Sequence, residues 1–118
     1  MRTLLFVVTA LTLSACVFSH AVAIGPPQPP RPGDCPIELS HVAPEDLAAN
    51  YTRVGNVCVS DADPDVYRSS SERTELQAEA CALGGELVTA SGACSVSCGD
   101  GSCDGTEFAV MRARPTTK

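Results

Sequence analysis

Six cysteines in one short segment are the feature that most constrains this fold. They are Cys35, Cys58, Cys81, Cys94, Cys98 and Cys103. An even number of cysteines at this density predicts three disulfide bonds, formed in an oxidising compartment. Six cysteines allow fifteen pairings, and sequence spacing alone does not choose among them.

Disulfide bonds are needed because the same segment is poor in large apolar residues. Leu, Ile, Val and Phe make up 15 of the 82 residues from 33 to 114, close to the ~20% below which a hydrophobic core becomes doubtful. Three disulfide bonds contribute about 2–4 kcal/mol each, comparable with the ~5–15 kcal/mol net stability of a domain. The sequence therefore predicts one disulfide-linked domain over 34–114, followed by a tail at 115–118.

Metal and redox chemistry fit these cysteines poorly. Cys94, Cys98 and Cys103 are spaced differently from zinc-finger pairs and from ferredoxin runs. The segment also lacks the C-x-x-C pair that redox enzymes use. We therefore expect no metal site and no cofactor.

Two acidic stretches have part of the pattern of a calcium-binding loop. Residues 61–72 carry acids at suitable spacing, but Val66 stands where such a loop needs glycine. Residues 100–111 have Gly105 in the right place, but Met111 replaces the bidentate glutamate. We interpret the first stretch as a solvated acidic loop, and for the second a weak extracellular calcium site stays open as the alternative.

The N-terminus has the pattern of a signal peptide. A short positive start, Met1 and Arg2, precedes the uncharged run 4–13 and the small residues Ser14 and Ala15. A helix over 4–13 would rise about 15 Å, half of the ~30 Å hydrocarbon core of a bilayer. Residues 1–15 are therefore predicted to be a signal peptide and not a membrane span.

The residues Leu13, Ser14, Ala15 and Cys16 resemble the signal of bacterial lipoproteins, in which a branched apolar and two small residues precede a modified cysteine. The resemblance implies that the Cys16 sulfur carries a diacylglyceryl group and that the mature chain begins there. Two or more acyl chains anchor a protein stably in a membrane. Val17 stands where lipoproteins retained in the inner membrane commonly have Asp, which implies the outer membrane, with the domain facing the periplasm.

Two alternatives at the N-terminus stay open. Ala21, Val22 and Ala23 also fit an A-x-A cleavage site, and cleavage after Ala23 would release a secreted soluble domain. Residues 4–24 carry no formal charge and are long enough for a signal anchor.

The segment 25–33 contains five of the nine prolines. This composition predicts an extended, semi-rigid spacer, with a ligand for a proline-recognition groove as the alternative. At ~3.1 Å per residue, the spacer would hold the domain about 28 Å from the anchor. Residues 16–33 are thus expected to be a lipidated N-terminus and tether.

The remaining pattern predicts an α+β domain. Helical signals are a turn at 44–49 opened by proline, and a longer helix with a capping box at Ser69 and Glu72, ended by Gly84 and Gly85. Alternating residues predict strands at 37–41, 51–60, 86–90, 93–97 and 108–112, with a loop at 61–67 and a hairpin turn at 91–92. We expect a small antiparallel or mixed sheet of three to five strands, cross-linked by disulfide bonds and packed against one main helix.

The domain contains several short motifs: the run 54–58 (VGNVC), Leu76 with Ala80, the pair Gly84 and Gly85 with Val88, and a loop rich in Gly and Cys before the last strand. Together these motifs resemble those of a group of small bacterial envelope lipoproteins. The group includes stress-sensing outer-membrane lipoproteins of the Rcs type. The resemblance covers 38–113 and implies a proline-rich tether followed by a small disulfide-linked α/β sheet. It implies no functional residue.

The net charge and the types of side chain present argue against several classes of function for this protein. A formal charge of -6 without a basic cluster excludes a nucleic-acid groove. His41 is the only histidine after the tether, and a lone histidine beside a strand does not indicate a Ser-His-Asp site. A domain of this size also offers no deep cleft, so we expect no enzyme, with a small hydrolase as the weakest alternative.

We therefore interpret the chain as a membrane-anchored envelope lipoprotein with a small protein-binding or sensor-like domain. Its partners would be the membrane, through the lipid anchor, and an envelope protein or a cell-wall component. The alternative is a secreted soluble binding module or inhibitor, cleaved after Ala23.

Overall fold

The computed structural model describes residues 18–60 and 70–115. Its elements are, in chain order, β1 (Ser19–Ala23), β2 (Glu38–Ser40), α1 (Pro44–Leu47), β3 (Tyr51–Ser60), α2 (Ser70–Ala82), β4 (Leu87–Cys98) and β5 (Gly101–Ala113). The predicted signal peptide, Cys16, the loop expected at 61–67 and the capping residue Ser69 lie outside the described residues. The strand predicted at 51–60 is confirmed, with the same bounds as β3.

The five strands form one mixed sheet in the order β1-β3-β5-β4-β2. β2 runs parallel to β4, and the other neighbouring strands are antiparallel. The prediction of an α+β domain with a mixed sheet is therefore confirmed. The sheet has the largest number of strands expected, but with a different composition. The strands predicted at 86–90 and 93–97 form the single strand β4, and β1 comes from residues that the sequence placed outside the domain.

Alternation along the central strands divides the buried residues between two faces of the sheet. The larger cluster combines strand residues with two residues of α2, and consists of Val54, Val57, Val59, Leu76, Ala80, Val88, Phe108 and Val110. A smaller cluster on the other face contains Leu87, Ala109 and Met111, against which Leu47 and Tyr51 pack. Both clusters are small, as expected for a segment with few large apolar side chains.

The C-terminal end of α2 is a Schellman motif. The amide of Gly85 donates to the Ala80 carbonyl and the amide of Gly84 donates to the Cys81 carbonyl, each at 2.9 Å. Gly84 has a φ of 77°, the left-handed conformation that this motif requires and that glycine adopts without strain. The prediction that the glycine pair ends the helix is confirmed.

The proline-rich segment differs from the expected tether. After β1, residues 25–33 lie against the end of α2, where the Arg31 amide donates to the Cys81 carbonyl at 2.8 Å. The Arg31 guanidinium also donates to the Gly85 carbonyl at 2.5 Å. A proline-rich composition favours an extended backbone, but it does not decide whether that backbone stands free or lies along a surface. Here the segment connects β1 and β2, the two edge strands of the sheet.

The predicted hairpin turn at 91–92 is wrong. β4 continues through these residues, and Ser91 is an extra residue in a β-bulge between the pairs Ala90↔Phe108 and Gly92↔Glu107. The turn lies at 99–100 instead. β5 is also longer than the predicted 108–112, because its first half pairs with β4 through small and polar residues that show no apolar alternation.

The sheet bends sharply around β5. Strands on either side of a central strand are normally about 9.6 Å apart, twice the ~4.8 Å spacing of neighbours. Cys58 on β3 and Cys94 on β4 flank β5, yet their Cα atoms are only 6.0 Å apart and their side chains form a disulfide. Gly105 on β5 permits this bend, because a Cβ atom there would clash with the Val59 carbonyl.

Candidate functional site

Three disulfide bonds confirm the pairing of all six cysteines predicted to be disulfide-bonded. The pairs are Cys35–Cys81, Cys58–Cys94 and Cys98–Cys103. The first joins the residues just before β2 to α2, the second joins β3 to β4, and the third closes the β4–β5 hairpin near its turn. Six cysteines in disulfide bonds are not available as metal ligands or nucleophiles, so a functional site must use other side chains.

A groove of about 410 Å³ lies between α1 and one end of the sheet. Proline at the first position of α1 starts that helix, and Leu47 packs against the smaller apolar cluster, which holds α1 over the ends of β3 and β5. The groove is lined by Pro44, Glu45, Ala48, Tyr51, Thr52, Arg53, Ser91, Glu107, Met111 and Arg114.

Charged side chains of both signs meet in this groove. Arg53 donates from Nε to the Asn56 side-chain oxygen at 2.7 Å, and its Nη2 lies 3.7 Å from a carboxylate oxygen of Glu107. The Arg53 and Glu107 side chains are about one-third exposed, so the ion pair orients the two groups more than it stabilises the fold. Ser91, displaced by the bulge in β4, donates to the Glu107 carbonyl at 3.2 Å.

Arg114 completes the charged rim from the end of β5. Its amide donates to the Asn50 carbonyl at 2.9 Å, and its Nε donates to the Ala48 carbonyl at 3.1 Å. The guanidinium group is therefore held beside the loop that follows α1. With the apolar Met111 and the half-buried Tyr51, the groove presents two guanidinium groups, two carboxylates and an apolar floor.

This lining is suited to binding and carries no nucleophile activated by a base. Histidine and cysteine are absent from the groove lining. His41, the histidine considered at the sequence level, is exposed in the segment between β2 and α1 and is not part of the groove. Sequence reasoning missed the groove because Arg53 is more than fifty residues away from Glu107 and Arg114, and the three residues form no motif.

A smaller recess of about 260 Å³ lies where β1 faces the distal part of β4. It is lined by Ser19, His20, Ser95, Val96 and Ser97. The recess exists because the bend of the sheet brings the β4–β5 hairpin towards the first strand. Val96 is buried there, while the serine residues on either side of it are exposed.

The acidic stretch at 100–105 forms the turn and the first residues of β5. Asp104 lies opposite Ser95 in the β4–β5 pairing, so this stretch is a strand and not a loop around an ion. Within 18–60 and 70–115, no group of three or more His, Cys, Asp or Glu side chains is placed to hold a metal. The other stretch, 61–72, lies mostly outside the described residues.

Comparison with known proteins identifies no relative. The chain matches no family model, and no curated protein or solved structure is significantly similar to it. Neither of the two described helices combines the length and the apolar character needed to cross a bilayer.

Proposed function

We propose that the chain is a lipid-anchored protein of the bacterial envelope whose domain binds another envelope protein or a wall component and catalyses no reaction. The observation that best supports this proposal is the position of β1, which begins at Ser19, three residues after Cys16. Cleavage before Cys16 leaves the whole sheet in the mature protein. Val17 supports the outer membrane as the location, with the domain in the periplasm.

The role of β1 argues against cleavage after Ala23. β1 pairs with β3 along its full length, from Ser19↔Val59 to Ala23↔Gly55, and Ala21 packs against the main apolar cluster. Cleavage after Ala23 would remove this strand and leave the partner edge of β3 unpaired, which exposes backbone groups to water and to other chains. A secreted form starting at Ile24 is therefore disfavoured.

The same strand argues against a signal anchor. Residues that pair in the sheet cannot also lie within the bilayer. The uncharged stretch left before β1, residues 4–18, would rise about 22 Å as a helix, less than the ~30 Å hydrocarbon core.

Processing of two variants tests the anchor. Cys16→Ser should leave a full-length precursor that incorporates no labelled palmitate, because its hydroxyl replaces the thiol that is acylated. Ala23→Arg is the matched control, since it blocks an A-x-A site at an exposed position of β1 and should be processed normally. Normal processing of Cys16→Ser together with a block in Ala23→Arg would show that the protein is secreted instead.

Binding through the groove is tested by photocrosslinking in cells. A photoreactive residue at Glu45, which is exposed on the groove rim, should yield a defined adduct, whereas one at exposed Ala82 on α2 should not. Arg53→Glu should abolish the Glu45 adduct, because it reverses one charge of the rim. Equal adducts from Glu45 and Ala82, or an adduct unaffected by Arg53→Glu, would contradict binding at this site.

A further inference from the structure

The chain leaves very little length between the lipidation site and the folded domain. The Phe18 amide donates to the Ser60 side-chain oxygen at 2.9 Å, and the Ser60 amide donates to the Phe18 carbonyl at 2.8 Å. Phe18 is therefore fixed to the end of β3. Only Val17 separates it from Cys16, so the two Cα atoms are at most about 7 Å apart.

The β4–β5 hairpin extends beyond this same end of the sheet. Ser60 is paired with Gly105, and β5 continues past that pair to its first residue, Gly101. Four residues of strand span about 13 Å. The recess shared by Ser19 and Ser97 shows that the hairpin lies beside the start of β1 and is not directed away from it.

These distances limit how the domain can sit on a membrane. The hairpin extends about 13 Å past the end of β3, whereas the connection to Cys16 extends at most about 7 Å. When Cys16 is held at the bilayer surface and the strands stand along the membrane normal, the hairpin reaches that surface as well. A long tether would let the hairpin stand clear of the surface in the same orientation.

We propose that the hairpin turn, residues 99–102, lies on the lipid headgroups of the membrane that holds the Cys16 acyl chains, an inference that rests on the proposed lipidation. The groove between α1 and the sheet then faces away from the membrane. β3 runs from Tyr51 beside the groove to Ser60 at the anchored end, and its nine residue steps span about 30 Å. The groove is thereby presented to partners in the space beyond the bilayer.

The composition of the hairpin fits a position at headgroup level and not deeper. Its turn consists of Gly99, Asp100, Gly101 and Ser102, all exposed, and the Cys98–Cys103 disulfide closes it. Residues 95–104 carry two acidic side chains and no basic ones. Contact is imposed by the short connection and not by charge attraction, so a zwitterionic bilayer is the appropriate probe.

The absence of tryptophan from the chain allows a direct test. Ser102→Trp places a single reporter at the hairpin turn, and Ala49→Trp places one at an exposed position after α1, near the groove. Each full-length lipidated protein is reconstituted into phosphatidylcholine vesicles with or without a nitroxide on the headgroup. We expect loss of fluorescence for Ser102→Trp and unchanged fluorescence for Ala49→Trp.

A variant with a longer connection is the matched control. About ten Gly and Ser residues inserted between Val17 and Phe18 have an end-to-end distance of about 17 Å, which releases the hairpin from the surface. This insertion should restore the fluorescence of Ser102→Trp without changing the lipid mass. Equal quenching at both positions, or quenching that survives the insertion, would overturn the orientation.

Vesicle flotation and intact mass distinguish a failure of the proposed orientation from a failure of the lipoprotein proposal. Protein that carries acyl chains and floats with vesicles, yet shows no quenching at Ser102→Trp, refutes the orientation and leaves the lipoprotein proposal standing. Protein without acyl chains refutes both.

Discussion

Removal of single disulfide bonds should destabilise the domain in an order set by the length of chain that each bond closes. Cys35–Cys81 has a sequence separation of 46 and Cys98–Cys103 a separation of 5. In the chain-entropy model, closing these loops reduces the entropy of the unfolded state by amounts worth about 4 kcal/mol and about 2 kcal/mol respectively. Cys35 and Cys81 are also buried, so their replacement removes packing as well.

The comparison uses Cys35→Ala with Cys81→Ala, and Cys98→Ser with Cys103→Ser, each in a chain that begins at Val17 and so lacks both the signal peptide and the lipid site. Urea unfolding followed by circular dichroism gives the free energy of unfolding of each form. The first pair should lose at least about 2 kcal/mol more than the second. An equal loss for the two pairs, or a larger loss at the hairpin, would refute the argument that loop length and burial determine the effect.

Three further predictions concern packing and charge. Gly84→Ala should lower the free energy of unfolding, measured in urea, by at least about 1 kcal/mol, because a side chain is disfavoured at its φ of 77°. Gly33→Ala is the control: Gly33 has open space around it, so the free energy of unfolding should change by no more than about 0.5 kcal/mol. Leu76→Ala should cost about 2–5 kcal/mol if α2 packs on the sheet through this fully buried residue, and a loss under 1 kcal/mol would contradict that packing. Arg53→Ala should lower the free energy of unfolding by less than about 1 kcal/mol, because its ion pair with Glu107 is partly exposed. Urea unfolding of this variant at low and at high salt measures the loss.

The sequence predicted those elements that have strong local signals. β3 alternates buried valines with Cys58, and the glycine pair after α2 has the conformation needed to end a helix, so both were located correctly. The bulge at Ser91 was interpreted as a turn, because Ser-Gly is typical of turns and nothing local reveals that β4 continues. β1 was missed because an apolar strand that directly follows a signal peptide has the same composition as the end of that signal.

The groove could not be predicted for a different reason. Its charged residues come from α1, from β3, from β5 and from the segment after β5, and only the packing of α1 on the paired strands brings them together. Predicting that pairing would require the register of β5, whose first half lacks apolar alternation. The disulfide connectivity depends on the same register, since Cys58 and Cys94 meet only when the sheet bends around β5.

The order of the disulfide bonds along the chain also bears on how the protein can mature. Numbered from the N-terminus, the six cysteines pair first with third, second with fourth, and fifth with sixth. A polypeptide that enters an oxidising compartment N-terminus first exposes Cys35 and Cys58 before Cys81, so pairing in order of arrival gives a non-native bond. The native arrangement therefore requires either oxidation of Cys35 that waits until Cys81 has emerged or a thiol that reshuffles the early bond. If Cys35 and Cys58 pair as they arrive, production in a host without disulfide isomerase activity should yield mispaired protein, whereas native pairing in such a host would show that oxidation is delayed.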